Sequence, residues 1–198
     1  LFGPSVYRGD QRRRHLALTF DYGPSPSTPA LLRVLEEFRV PATFFMCGTH
    51  VRRLESVARE VLDAGHELGN HTDTHPHLWQ HSPAANALEI ERAQHAIITA
   101  TGIAPVLFRA PYGVRWFGLR RVQRRFGLMG VMWTVIGRDW VLDSSEVARL
   151  VIGRASNGGI ICLHDGRELA SDPDITTTIE AARRVVPALL DRGYEFRT

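Results

Sequence analysis

Short apolar runs alternate with helix-length amphipathic segments along this chain, and that alternation limits its fold more than any other feature. The first run, at 16–20, ends at Asp21, and Tyr22-Gly23-Pro24-Ser25-Pro26 then breaks it as a loop. A helix is expected next, capped by Ser27 or Thr28, with Pro29 in an early position and Leu31, Leu32, Leu35 and Phe38 on one face. The unit then repeats. Further strands are predicted at 42–46, 67–70, 106–109, 130–136, 159–163 and 194–197. Helices are predicted at 51–64, where Gly65 stops the run, and from Ser82-Pro83 to Gly102, presenting Leu88, Ala93, Ile97 and Ile98. Three more are predicted at 114–126, 145–155 and 175–192. This order implies a parallel sheet with helices outside. No GxGxxG follows the first strand, which disfavours a dinucleotide fold. The expected class is α/β: a distorted or incomplete (β/α) barrel of seven or eight parallel strands with outer helices.

A chain of 198 residues buries a continuous core without staples, so one domain over 1–198 and one site are expected. The formal charge of +3 comes from scattered arginines and not from one basic stripe, so no nucleic-acid partner is expected. No apolar run approaches the roughly 20 residues of a membrane span, and residues 1–10 lack a leader pattern. Because the chain opens on Leu1, a mature or trimmed fragment is expected, and the missing leader says little about secretion. Cys47 and Cys162 show no CxxC spacing; buried inert thiols are the default, with a bridge between them left open.

Chemically capable residues fall five times at the ends of predicted strands, the rim where parallel α/β folds assemble their sites. They are Asp21, then His71 and His75, then Arg109, then Asp139-Trp140, then His164-Asp165. His71 and His75 stand four apart, so one helical turn would carry both imidazoles toward one ion, with zinc or a neighbouring transition metal favoured. Taken alone, the same segment is an ordinary hydrogen-bonded loop. Asp21 is placed to act as a general base, or only to cap its loop. Arg109 offers a planar fork that would keep such a carboxylate ionised and aimed. Histidine as a residue type can give a proton near neutral pH, so His164, at the end of a buried strand, could protonate a leaving amine, or be merely structural.

Thr19-Phe20-Asp21-Tyr22-Gly23-Pro24, His71-Thr72-Asp73-Thr74-His75, Arg109-Ala110-Pro111-Tyr112, Arg138-Asp139-Trp140 and Leu163-His164 together resemble, in order, the five motifs of the polysaccharide deacetylases of carbohydrate esterase family 4. The resemblance runs from about residue 16 to 198. It implies hydrolysis of N-acetyl groups on an N-acetylglucosamine-containing polymer or oligosaccharide, of chitin or peptidoglycan type, in an extracellular or cell-wall setting, by a monomer. It implies a divalent metal, zinc foremost with cobalt or manganese as alternatives, on His71 and His75. It further implies Asp21 as base, Arg109 as its positioner, His164 as acid tuned by Asp139, Trp140 and Leu163 around the acetyl methyl, and the Tyr112 N–H as oxyanion donor.

Two positions depart from the pattern. Tyr22 stands where the family carries a second aspartate, its third protein metal ligand, and a phenol with pKa near 10 is a poor anion at neutral pH. Ile136 stands where an acidic residue is frequent. Altered ligation by the Tyr22 phenolate, by Asp73 or by extra water is one expectation; a catalytically impaired, glycan-binding relative is the alternative. Hydrolysis of another C–N bond, such as a cyclic amide, is a third.

Overall fold

The fold is that of a computed structural model describing residues 2–198; Leu1, the first residue of the expected domain, lies outside the described residues. Strand β1 (Ser5–Val6) opens the chain, followed by β2 (His15–Tyr22), α1 (Thr28–Phe38), β3 (Thr43–Met46), α2 (Gly48–Arg53) and α3 (Glu55–Asp63). Then come β4 (Glu67–Asn70), α4 (Pro83–Thr101), β5 (Leu107–Phe108), α5 (Leu119–Phe126), β6 (Met129–Val131) and β7 (Val135–Ile136). The chain closes with α6 (Ser144–Arg154), β8 (Gly159–His164), α7 (Thr176–Asp191) and β9 (Glu195–Phe196).

Eight strands lie in the order β1-β6-β5-β4-β3-β2-β8-β7, β9 pairs with β2, and every pairing is parallel. Strands β6 and β7 sit near opposite ends of this path, yet only Met132, Trp133 and Thr134 join them. At about 3.5 Å per extended residue, that link forces the two ends of the sheet to within roughly 14 Å of each other. The sheet therefore curls into an unclosed barrel, as the alternation of elements predicts.

The pleat sorts side chains to two layers. Leu18 and Phe20 of β2, Phe44 of β3 and Leu163 of β8 point outward, into the main core with Leu31, Leu35, Val147, Val151 and Val185 of the helices. Inside the barrel, Phe45, Val131 and Ile160 pack with Ala17, Leu107 and Trp133. A side chain at Gly69 would meet the Phe45 ring at 2.4 Å, so the glycine makes room for that interior phenylalanine.

Four expectations need correction. The helix predicted at 51–64 is two helices, because Leu54 leaves the helical region at φ −131° and ψ 51°. The strand predicted at 130–136 is two strands serving opposite ends of the sheet: Met132 N–H bonds Val6 C=O, whereas Thr134 N–H bonds Ile160 C=O. The helix predicted at 114–126 begins only at Leu119. Leu88 and Ile98 of α4 face outward, half-exposed, while Ile90, Ala93, Ala96 and Ile97 supply its buried face. Strand β1 and its pairing with β6 had no sequence signal.

Candidate active site

Asp21 pairs in register with His164, and Thr19 with Cys162, so the ladder between β2 and β8 sets these side chains on the barrel's inner face. Strict alternation would turn Tyr22 outward. Instead Tyr22 adopts φ 78°, in the left-handed region rare for a bulky residue, and its ring enters the same cleft as Asp21. Backbone twist at this one residue thus delivers two consecutive side chains to one site.

Arg109 follows β5, is fully buried and reaches across the barrel. Its guanidinium donates to Asp21 Oδ1 and Thr19 Oγ1 at 2.7 Å each, and to Val131 and Met132 C=O at 3.2 Å each, while lying 4.1 Å above the Phe45 ring. A lone surface arginine is excluded. Burial, the largest single influence, opposes a charge on Asp21, but Arg109, His71 and His164 together outweigh it and hold the carboxyl below the usual range. The second oxygen, Oδ2, accepts from the Cys162 thiol at 3.4 Å and lies 3.8 Å from His71 Nε2. Burial, reinforced by Asp21, pushes the Cys162 thiol up, so it stays a donor.

His71 and His75 come together, with ring centroids 4.8 Å apart, but not on a helical turn. The segment is a loop in which Thr72 and His75 take φ of 67° and 55°. Side chains outside the motif fasten it: Asn70 Oδ1 accepts from Thr72 N–H, and Glu89 of α4 accepts from the N–H groups of Asp73 and Thr74. Asp73, one suggested replacement ligand, is engaged instead by Arg52 at 2.7 Å. The His71 Nδ1–H donates to Arg109 C=O at 2.8 Å, which leaves its Nε2 lone pair for a ligand. Burial lowers both imidazoles, His75 to about 2, so both are neutral donors at physiological pH. His75 Nδ1 is buried with no partner.

The Tyr22 ring lies 4.3 Å from that of His75, 5.7 Å from His71 and 5.4 Å from His164. Burial, then Tyr112 and Asp21, raise its phenol further above the ordinary value, so the ring enters the cleft as a neutral phenol. The donor set therefore suits a divalent cation through two neutral imidazoles, without a third, anionic protein ligand.

Across the cleft, His164 Nδ1–H donates to Asp139 Oδ1 at 2.7 Å, and Asp139 Oδ2 accepts from His164 N–H at 2.9 Å and from Thr178 Oγ1 at 2.6 Å. Burial works against the charge on Asp139, yet the His164 hydrogen bond, with Thr178 and Arg167, holds its carboxyl below the usual range. His164 lines the cleft, and Asp139 leaves its Nε2 unengaged. Trp140 stands edge-on to this imidazole at 5.0 Å and is about half exposed. The cleft holds about 760 Å³, lined by Asp21, Tyr22, His71, His75, Tyr112, Trp140, Cys162 and His164, with Ile136, Trp133, Glu168 and Leu169 among others around it.

Leu163, expected at the acetyl pocket, is not brought there. Its side chain packs outward near Gly137 and Val147, and the inward position on β8 belongs to Cys162. Both cysteines are free and buried, so no bridge joins them.

Asp165, singled out in the sequence only as the rim neighbour of His164, holds the adjacent turn. Buried beneath the Tyr22-Gly23 turn, it accepts from Gly23 N–H at 3.0 Å and Thr28 Oγ1 at 2.8 Å; burial outweighs both and pushes its carboxyl up to about 7. The folded state thus keeps a proton that the unfolded state loses near pH 4, so stability is full below that point and declines as pH rises toward 7. Urea unfolding across this window is expected to show that decline in the unsubstituted chain and not in Asp165→Asn.

A model of the polysaccharide deacetylase family matches residues 8–131. A chitooligosaccharide deacetylase of Bradyrhizobium sp. (strain ANU 289) is 39% identical over 191 residues, covering 92% of this chain and 87% of the relative. Among solved structures, a family 4 carbohydrate esterase from Streptomyces lividans in complex with acetate superposes with a TM-score of 0.85 at 35% identity, covering 93% of this chain and 92% of the other. A family 4 pseudoenzyme from Bacillus anthracis superposes with a TM-score of 0.89 at 25% identity, covering 99% of this chain and 67% of the other, and a mutant of that pseudoenzyme has restored enzymatic activity.

Proposed function

From its membership of the polysaccharide deacetylase family, we propose that this chain hydrolyses N-acetyl groups on N-acetylglucosamine-containing polysaccharide or its oligosaccharides, of chitin or peptidoglycan type. One observation carries the proposal: Asp21 and His164 are register partners on the inner face, each held by a dedicated buried partner, Arg109 and Asp139. On this reading a base and an acid are both held in place before substrate arrives.

Asp21, kept ionised by Arg109, removes the proton of the attacking water through Oδ2, the oxygen that faces His71. The acetamide carbonyl becomes an oxyanion, and the backbone N–H of Tyr112, at the cleft wall, is the protein donor assigned to it. His164 then delivers a proton from Nε2 to the departing nitrogen, because an amide anion does not leave unaided; Asp139 holds Nδ1–H and stabilises the imidazolium form. Trp140, Ile136 and Cys162 bound the space for the acetyl methyl. The divalent cation held by His71 and His75, zinc by donor chemistry with cobalt or manganese as alternatives, supplies Lewis-acid polarisation of the carbonyl when bound. Substrates of this kind agree with an extracellular or cell-wall setting and with a monomeric enzyme.

The Tyr22 ring favours a second reading, a glycan-binding relative with impaired catalysis, since a phenol stands beside the imidazole pair where a carboxylate ligand would be needed. The family includes such a case. Acetate release from chitooligosaccharides and from peptidoglycan, assayed with zinc, cobalt and manganese, separates the two: metal-stimulated release is expected. Glycan binding that persists in chelator without any release would leave only the second.

A further inference from the structure

Asp21, Cys162 and His164 each offer one donor atom, and among the described residues these three atoms form a group lying within 4.8 Å of one another, all three residues buried. We propose that they constitute a second cation site, separate from the His71–His75 pair, which takes a thiophilic divalent ion such as cadmium, or zinc in excess.

The placement follows from the β2–β8 ladder. Register pairs Asp21 with His164 and Thr19 with Cys162, so the three donors share one face of two hydrogen-bonded strands. A tetrahedral zinc with bonds of about 2.0–2.3 Å keeps its ligands roughly 3.5 Å apart, and Cys162 Sγ already lies 3.4 Å from Asp21 Oδ2. Outer partners orient both remaining ligands. Arg109 occupies only Oδ1 of Asp21, and Asp139 occupies only Nδ1 of His164, so Oδ2 and Nε2 are the atoms left to bind. The cleft beside these atoms leaves room for a water or a ligand at the fourth position.

Charge and softness set the preference. When the ion enters, the Cys162 S–H bond breaks, its proton goes to solvent and an S–metal bond forms, with no change of oxidation state. Thiolate and carboxylate together cancel the divalent charge, and the sulfur favours cadmium and zinc over manganese or magnesium. On the proposed hydrolytic function, such an ion ties up the base oxygen and the acid nitrogen at once, so its occupancy stops turnover.

Cadmium titration of the full chain, followed by the near-ultraviolet thiolate-to-cadmium charge-transfer absorption, tests the site without requiring turnover, so an inactive chain leaves the test intact. The band is expected to saturate at one equivalent, to vanish in Cys162→Ser, and to persist in Cys47→Ser and His75→Ala. No band in the unsubstituted chain, a band surviving in Cys162→Ser, or one lost in His75→Ala would each overturn the proposal. Should Cys162→Ser fail to fold, the 113Cd resonance of Cys47→Ser decides: a shift for one sulfur ligand sustains the site, and one for nitrogen and oxygen ligands alone refutes it.

Discussion

Asp21→Asn is expected to lower acetate release on the order of 10²–10⁴-fold, the span typical of losing a positioned general base. Asparagine keeps the shape and one carbonyl oxygen, yet it cannot take a proton from water. The change also leaves the fully buried Arg109 guanidinium without its counter-charge. Breaking a buried pair in this way costs about 3–5 kcal/mol, so urea unfolding must accompany the kinetics and the assay must stay where the variant is folded. Arg109→Met in the Asp21→Asn background removes the stranded cation and is expected to recover part of that stability without any activity. Recovery of stability with activity still absent separates a chemical role for the carboxylate from a structural one. Full activity in folded Asp21→Asn would show that another group serves as base.

The second large effect concerns Tyr22. Tyr22→Asp replaces a neutral phenol, wedged between the rings of His71, His75 and His164, with a carboxylate beside two neutral imidazoles. Loss of an outer-sphere partner alone costs 10–100-fold in metal affinity, and a gained direct anionic ligand is expected to tighten zinc binding by at least about that factor. Acetate release at limiting zinc should rise with it. Calorimetric zinc titration of both chains checks the first part, and deacetylation at matched metal the second. Equal zinc affinity in the two would mean that some other ligand already completes the site.

Much of this site was legible along the chain because strand ends are easy to see in a parallel fold. Apolar runs that stop at Asp21, Asn70, Arg109 and His164 mark the rim, and the structure brings those ends together. The less legible parts depend on backbone conformations that residue type does not announce. Tyr22 and His75 enter the cleft through positive φ, where neither alternation nor helical spacing applies. The pairing of Arg109 with Asp21 followed from chemistry, whereas its bonds to Val131 and Met132 depend on how far the sheet curls. Cys162 looked like a filler in an apolar strand; only register shows that it, and not Leu163, shares the face of Asp21. Glu89 and Asn70, which hold the histidine loop, sit in elements that read as ordinary helix and strand. The breaks at Leu54 and across Met132 to Thr134 carry no glycine or proline, so a continuous helix and a continuous strand were the natural expectations there.

The proposed hydrolysis requires a cation seated between two imidazoles, next to a carboxylate that Arg109 keeps ionised. Anomalous diffraction at the zinc edge, from crystals grown with a single equivalent of zinc, addresses this most directly. A peak bridging His71 and His75, one water away from Asp21, is the predicted result. Zinc absent from that position, with the ion found elsewhere or nowhere, would contradict it.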